Sequence, residues 1–156
     1  MATCRSVRQS THWHRDGWVI GLDGTLGAGK TTLVQSIVRR LSPDVSVTSP
    51  TFTIWQSYRC GGSDSVEPFP LHHLDAYRID DLDAWDELGV DEAIAAGGHV
   101  TLIEWADRVG DALPGSAIRL RIDIADVHHR IVTIDGGPAG WLDRWGDRFA
   151  QVDQTV

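Results

Sequence analysis

The hydrophobic and polar positions of the chain alternate between two periods. Trp18 to Leu22 is a short apolar run of the kind a buried strand requires. After a glycine-rich interval, Lys30 to Leu41 places Leu33, Ile37, Val38 and Leu41 at helical spacing, and Ser42, Pro43 and Asp44 end that helix. Val45 to Thr48 and Thr51 to Tyr58 are rich in β-branched and aromatic residues, so both read as strands. Cys60 to Pro70 reads as a loop. Leu71 to Tyr77 reads as a further strand, giving way over Ala76 to Asp80 to a mobile loop. Asp81 to Gly98 holds one or two short helices broken near Gly89. His99 to Trp105 is a buried strand that ends in a carboxylate. Ala117 to Ile124 and His129 to Ile134 both alternate apolar with polar residues and can pair as a hairpin. Gly140 to Ala150 reads as a closing helix with Trp141, Trp145 and Phe149 on one face. This order predicts an α/β fold: a single P-loop NTPase domain with a mostly parallel central sheet, helices on its faces and a C-terminal β-hairpin.

The length, 156 residues, suits one domain. We place it at 18–150, after a mobile tail over 1–17. No apolar run approaches the roughly 20 residues of a membrane span. Arg5, Arg8 and Arg15 have no apolar block behind them, so no secretory signal is expected and the cytoplasm is the expected compartment. Cys4 and Cys60 match no metal or redox spacing and read as free thiols. The formal net charge of −8 argues against a chain that grips RNA by itself. Asp75, Asp80, Asp81, Asp83, Asp86, Glu87, Asp91 and Glu92 fall in one stretch with only Arg78 against them, a solvated helix face or a patch for a basic partner. Lys30 is the only lysine, and there is no asparagine. A lysine kept in so arginine-biased a chain marks a place where arginine's planar fork does not fit.

Gly24-Thr25-Leu26-Gly27-Ala28-Gly29-Lys30-Thr31 satisfies G-x-x-x-x-G-K-[ST] and lies between the first strand and the first helix, the context that phosphate binding demands. Gly24, Gly27 and Gly29 let the backbone turn its N–H groups inward, and Ala28 and Thr32 complete the turn. The helix N-terminus adds positive potential. Lys30 can reach the β- and γ-phosphates, and the Thr31 hydroxyl can ligate magnesium. The guanine-specifying N-K-x-D cannot exist without asparagine, which leaves ATP with Mg2+ as the expected ligand. A magnesium site also needs a carboxylate at the end of a neighbouring strand. Glu104 and Asp75 both qualify, and either also reads as a helix cap or a surface acid. His72 and His73 are adjacent, point to opposite faces of a strand and do not share a metal. His12 and His14 have metal-compatible spacing but fall in the expected tail.

Leu26 to Thr32, Thr48-Ser49-Pro50-Thr51-Phe52, His73-Leu74-Asp75-Ala76-Tyr77-Arg78, Glu87-Leu88-Gly89 and Ile103-Glu104-Trp105 follow one another in an order that resembles the TsaE family. These are the small P-loop ATPases of bacterial tRNA threonylcarbamoyladenosine synthesis. The resemblance runs from about Trp18 to about Ile134. It implies that Thr31 and Glu104 hold magnesium, that Asp75 and Lys30 serve hydrolysis, and that Ser49 to Phe52, including Ser49 and Thr51, lies near the γ-phosphate. It places Arg130 where the family often has a nucleotide-contacting arginine. It implies two protein partners of a threonylcarbamoyl-transfer complex, with tRNA reached only through that complex and no membrane. Hydrolysis would be slow alone, faster with partners, and would reset the complex. Two departures stand out. Thr25 replaces an acid common after the first P-loop glycine. The residues before the first strand do not align with the helix that helps hold adenine in the family.

Two other functions compete. A small-molecule or nucleoside kinase needs an arginine-bearing lid, yet only Arg108 lies between Arg78 and Arg119. A nucleotide-dependent binding module would show no useful turnover of its own.

Overall fold

The computed structural model describes residues 17–45, 47, 53–62 and 67–141. The strands are β1 (Trp18–Asp23), β2 (Trp55–Cys60), β3 (Phe69–Asp75), β4 (Val100–Glu104), β5 (Ile118–Ile124) and β6 (Arg130–Gly136). The α-helices are α1 (Lys30–Leu41), α2 (Leu82–Glu87) and α3 (Val90–Ala96), with 3-10 segments at Ala76–Arg78 and Ala106–Ala112. All six strands form one sheet in the order β2-β3-β4-β1-β5-β6. β3, β4, β1 and β5 run parallel, and β2 and β6 pair antiparallel at the two edges. The sheet is therefore mixed, where the sequence leads one to expect a mostly parallel one. Its edges reverse because β2 to β3 and β5 to β6 are joined by short connections rather than by helical crossovers, which parallel pairing needs.

Two cores sandwich the sheet. On one face Val34 and Val38 of α1 pack with Leu22, Leu71, Val100 and Leu102. On the other, Trp85, Val90, Ala106 and Val109 pack with Val19, Leu74 and Ile103. Successive strand residues alternate between these faces. Even-numbered residues of β1 and β4 and odd-numbered residues of β3 consequently lie on the α1 side. That parity sets which polar side chains reach the P-loop.

Several boundaries differ from the sequence reading. β2 begins only at Trp55, because Thr53 and Ile54 form a bend in which Ile54 adopts φ 59°. The Ile54 carbonyl accepts from the Asp75 amide at 2.9 Å, closing the end of β3. β3 stops at Asp75, not Tyr77, because the Asp75 side chain accepts from the Tyr77 amide at 3.0 Å and starts the 3-10 turn. The loop expected over Ala76 to Asp80 is instead this turn, with Ala76 and Ile79 buried in the core. Val45 and Val47 lie outside any strand. The expected tail except Gly17, and the expected closing helix beyond Trp141, lie outside the described residues, as do Ser49, Thr51, His12 and His14. Among the described residues, no helix is long and apolar enough to cross a membrane.

Candidate functional site

β1 delivers the chain into a tight loop at Gly24, and α1 opens directly behind it. Gly24, Gly27 and Gly29 adopt φ of 146°, 78° and 107°, conformations that side chains rarely take. Gly29 is the residue before the helix and supplies no side-chain cap, so the first-turn amides of α1 remain available to an anion. Ala28 is buried under the loop, and Thr32 stands exposed in the first turn of α1. Leu26, at the loop tip, is 82% exposed.

Lys30 is buried. Its ammonium donates to the Gly24 carbonyl at 2.6 Å and the Thr25 carbonyl at 3.1 Å, and lies 3.5 Å from the centre of the Trp105 ring. Burial pushes its pKa below lysine's ordinary value, against the opposing pull of Glu104, Asp75, Asp107 and Asp23. Trp105 holds its ring there from an unusual backbone, φ 57°, at the turn that follows β4. The Trp105 amide donates to the Leu22 carbonyl at 2.9 Å, which ties that turn to the strand feeding the P-loop. The sequence reading included Trp105 in the Ile103-Glu104-Trp105 motif but gave the ring no role. Its position directly after the Glu104 carboxylate was the available signal.

The carboxylates come together through strand register. Glu104 pairs with Leu22 of β1 and with Asp75 of β3, so Asp75 and Glu104 end neighbouring strands on the α1 face. Both are buried. The Thr31 hydroxyl donates to Glu104 Oε2 at 2.7 Å. Glu104 Oε1 lies 2.8 Å from His73 Nε2. The pKa of Asp75 is raised above the ordinary carboxylate value, first by burial and also by the Glu104 charge, while the Tyr77 amide opposes the shift. A buried carboxyl with a raised pKa is a stronger proton acceptor when ionised.

The Thr31 hydroxyl and the Glu104 carboxylate suit magnesium in chemistry and in spacing. Both are hard oxygen donors. Adjacent corners of an octahedron with the usual bond lengths are about 2.9 Å apart, close to the Thr31–Glu104 separation. His72 does not join this set. Its Nδ1 accepts from the Trp55 indole at 3.3 Å and lies 2.8 Å from Ser57 Oγ, and its ring stacks edge-on against His99, on the opposite face from His73. Among the described residues, no group of three or more His, Cys, Asp or Glu side chains could hold a metal.

Arg130, from the start of β6, reaches across the sheet edge. Its Nε donates to the Ala28 carbonyl of the P-loop at 3.1 Å, and its Nη1 donates to the Asp126 and His129 carbonyls. Asp126 fixes the hairpin tip by accepting from the His128 and His129 amides. The guanidinium thus stands beside the Gly24–Gly29 loop. The acidic stretch divides: Asp75 is buried at the site, while Asp80, Asp81, Asp83, Asp86, Glu87, Asp91 and Glu92 are exposed. Asp81 caps α2 through the Ala84 amide, and Asp91 accepts from the Trp85 indole.

A family model described as threonylcarbamoyl adenosine biosynthesis protein TsaE matches residues 2–132. The chain belongs to the TsaE family. Among curated TsaE relatives, the tRNA threonylcarbamoyladenosine biosynthesis protein TsaE of Bacillus subtilis is 38% identical over 119 residues, covering 76% of this chain and 70% of the relative. The Streptomyces coelicolor TsaE is 35% identical over 149 residues, covering 91% and 90%. The crystal structure of Bacillus subtilis YdiB superposes with a TM-score of 0.63 at 30% identity, over 86% of this chain and 78% of that one. The TsaE match starts at residue 2, ahead of the segment from Trp18 on which the sequence resemblance was recognised.

Proposed function

We propose that this chain is the ATP-binding and ATP-hydrolysing subunit of a complex that adds a threonylcarbamoyl group to adenosine beside the tRNA anticodon, and that it works with two protein partners in the cytoplasm. Membership of the TsaE family, whose relatives carry tRNA threonylcarbamoyladenosine biosynthesis in their names, supports the pathway. The observation that carries the ATPase reading is the Thr31–Glu104 hydrogen bond across the mouth of the P-loop, with Asp75 paired in register beside Glu104.

In this reading the loop amides between Gly24 and Thr32 cradle the phosphates, and the family resemblance adds Ser49 and Thr51, which lie outside the described residues, to the nucleotide-binding set. The Lys30 ammonium leaves its two loop carbonyls for the β- and γ-phosphate oxygens. A bound magnesium ion would supply neutralisation of phosphate charge. Thr31 Oγ1 and Glu104 Oε2 would hold it. Asp75 orients the attacking water and accepts its proton, which its raised pKa favours. Arg130 adds positive charge from the hairpin side.

The test is ATP turnover by the purified chain, alone and mixed with the two partner proteins from the same source. Slow turnover alone and clear stimulation in the mixture are expected. ATP binding without turnover in either condition would make the chain a binding module, and phosphoryl transfer to a small acceptor would make it a kinase.

A further inference from the structure

His73 is fully buried, yet the magnesium chemistry proposed above gives it no role. It lies two residues before Asp75 on β3, so both point to the α1 face. Register pairs His73 with Leu102 of β4, one same-face step from Glu104. From there the imidazole reaches diagonally to Glu104 Oε1, at 2.8 Å. The other oxygen of the same carboxylate takes the Thr31 hydroxyl. An ionised carboxylate only accepts, so this contact requires a proton on His73 Nε2. Nδ1 has no hydrogen-bond partner among the described residues. The ring therefore has one polar anchor, and that anchor is Glu104.

We infer that His73 is a positioning residue for the magnesium site: its Nε2–H fixes the Glu104 carboxylate so that Oε2, and not Oε1, faces the metal beside Thr31. This rests on the magnesium-dependent ATPase reading. A carboxylate held at one oxygen cannot swing or turn to present both. It keeps one lone-pair direction aimed beside the threonine hydroxyl. Outer partners of metal ligands of this kind typically govern metal affinity by 10–100-fold.

The experiment measures ATP affinity by calorimetry in the full chain, with EDTA and over a magnesium series, together with thermal midpoints. The variants are His73→Leu, His73→Asn and His73→Gln. Glutamine places its amide nitrogen near the position of Nε2 and can still donate to Glu104; asparagine is too short to reach. With EDTA, all folded variants should bind ATP as the wild type does. His73→Leu and His73→Asn should need about 10–100-fold more magnesium to gain affinity, and His73→Gln should restore most of it. A general packing defect would instead weaken binding with and without magnesium alike. If leucine prevents folding, the asparagine and glutamine pair decides. Wild-type magnesium dependence in folded His73→Asn, or equal loss in the asparagine and glutamine variants, would overturn the positioning role alone. A wild-type chain whose ATP affinity ignores magnesium would overturn the metal site itself, and this inference with it.

Discussion

Replacing Asp75 by asparagine separates the two things this side chain does. Its Oδ1 accepts from the Tyr77 amide and starts the 3-10 turn, and asparagine keeps that acceptor. Alanine does not, and should lose about 1 kcal/mol, a fall in melting temperature of roughly 2–4 °C for a domain of this size. Asparagine also removes a buried charge beside Glu104. Because folding raises the pKa of this acid, the folded protein keeps the Asp75 proton over a pH interval in which the unfolded chain has already lost it. The wild type therefore loses stability as pH rises through that interval, which begins at the ordinary value of 3.8. The asparagine variant does not share this loss. Its melting temperature at neutral pH should equal or exceed that of the wild type, and its advantage should shrink toward acid. If Asp75 is the group that handles the attacking water, partner-stimulated hydrolysis per molecule should nonetheless fall about tenfold or more, with ATP affinity similar. Melting, calorimetric ATP affinity and stimulated turnover would be measured on one preparation. Normal stimulated hydrolysis by a well-folded Asp75→Asn chain would refute the catalytic role and leave Asp75 as a cap.

Three further outcomes are expected. Lys30→Ala should abolish tight ATP binding. In the wild type, burial lowers the lysine pKa, so ATP affinity should decline with rising pH before 10.5 is reached, and a flat calorimetric profile up to that pH would contradict the assigned role. Glu104→Gln should fold, because the amide can still accept from His73 through its oxygen and donate to the Thr31 hydroxyl through its nitrogen. It should weaken ATP binding only when magnesium is present, and normal magnesium dependence would remove Glu104 from the site. Gly24→Ala would press its Cβ against the Ile122 carbonyl at a φ of 146°, for a loss of about 2–5 kcal/mol. A Cβ at Gly27 meets nothing within 4 Å, so Gly27→Ala should lose only about 1–2 kcal/mol of backbone strain; equal melting temperatures for the two variants would refute this account of the loop.

The parts of the fold written in local chemistry were legible. α1 runs over Lys30–Leu41 as expected, because a glycine loop, an apolar stripe and Ser42-Pro43-Asp44 all agree on its limits. α2 and α3 break at Gly89, whose φ of 66° is easy only for glycine. β5 and β6 form the expected antiparallel hairpin, with apolar and polar residues alternating along β5. What the sequence hid was decided by individual hydrogen bonds, by an unusual backbone angle and by partners far along the chain. The end of β3 depends on a hydrogen bond from Tyr77 to Asp75 and another from Asp75 to Ile54. The late start of β2 depends on a left-handed isoleucine, which no propensity favours. Parity within strands ruled out a shared metal for His72 and His73, yet only the β3–β4 register could show that His73 meets Glu104. Arg130 and Ala28 are 102 positions apart, and nothing local places one against the other.

The solitary lysine draws these observations together. Two carbonyls and one ring face surround the Lys30 ammonium, an arrangement that suits a compact charge with three donors. Four carboxylates pull the ammonium toward its charged form, yet burial outweighs them. Bringing the four closer would raise the lysine's pKa but would also set more negative charge against the phosphates. The arrangement eases this by giving three of the four another commitment. Glu104 is held by Thr31 and His73, Asp75 by the Tyr77 amide, and Asp23 by the Asp107 amide. Lys30 itself makes its hydrogen bonds to neutral backbone carbonyls and not to these acids. In the proposed function, its exchange of those carbonyls for phosphate oxygens breaks no ion pair, which is why the one lysine of the chain can serve as a transferable cation.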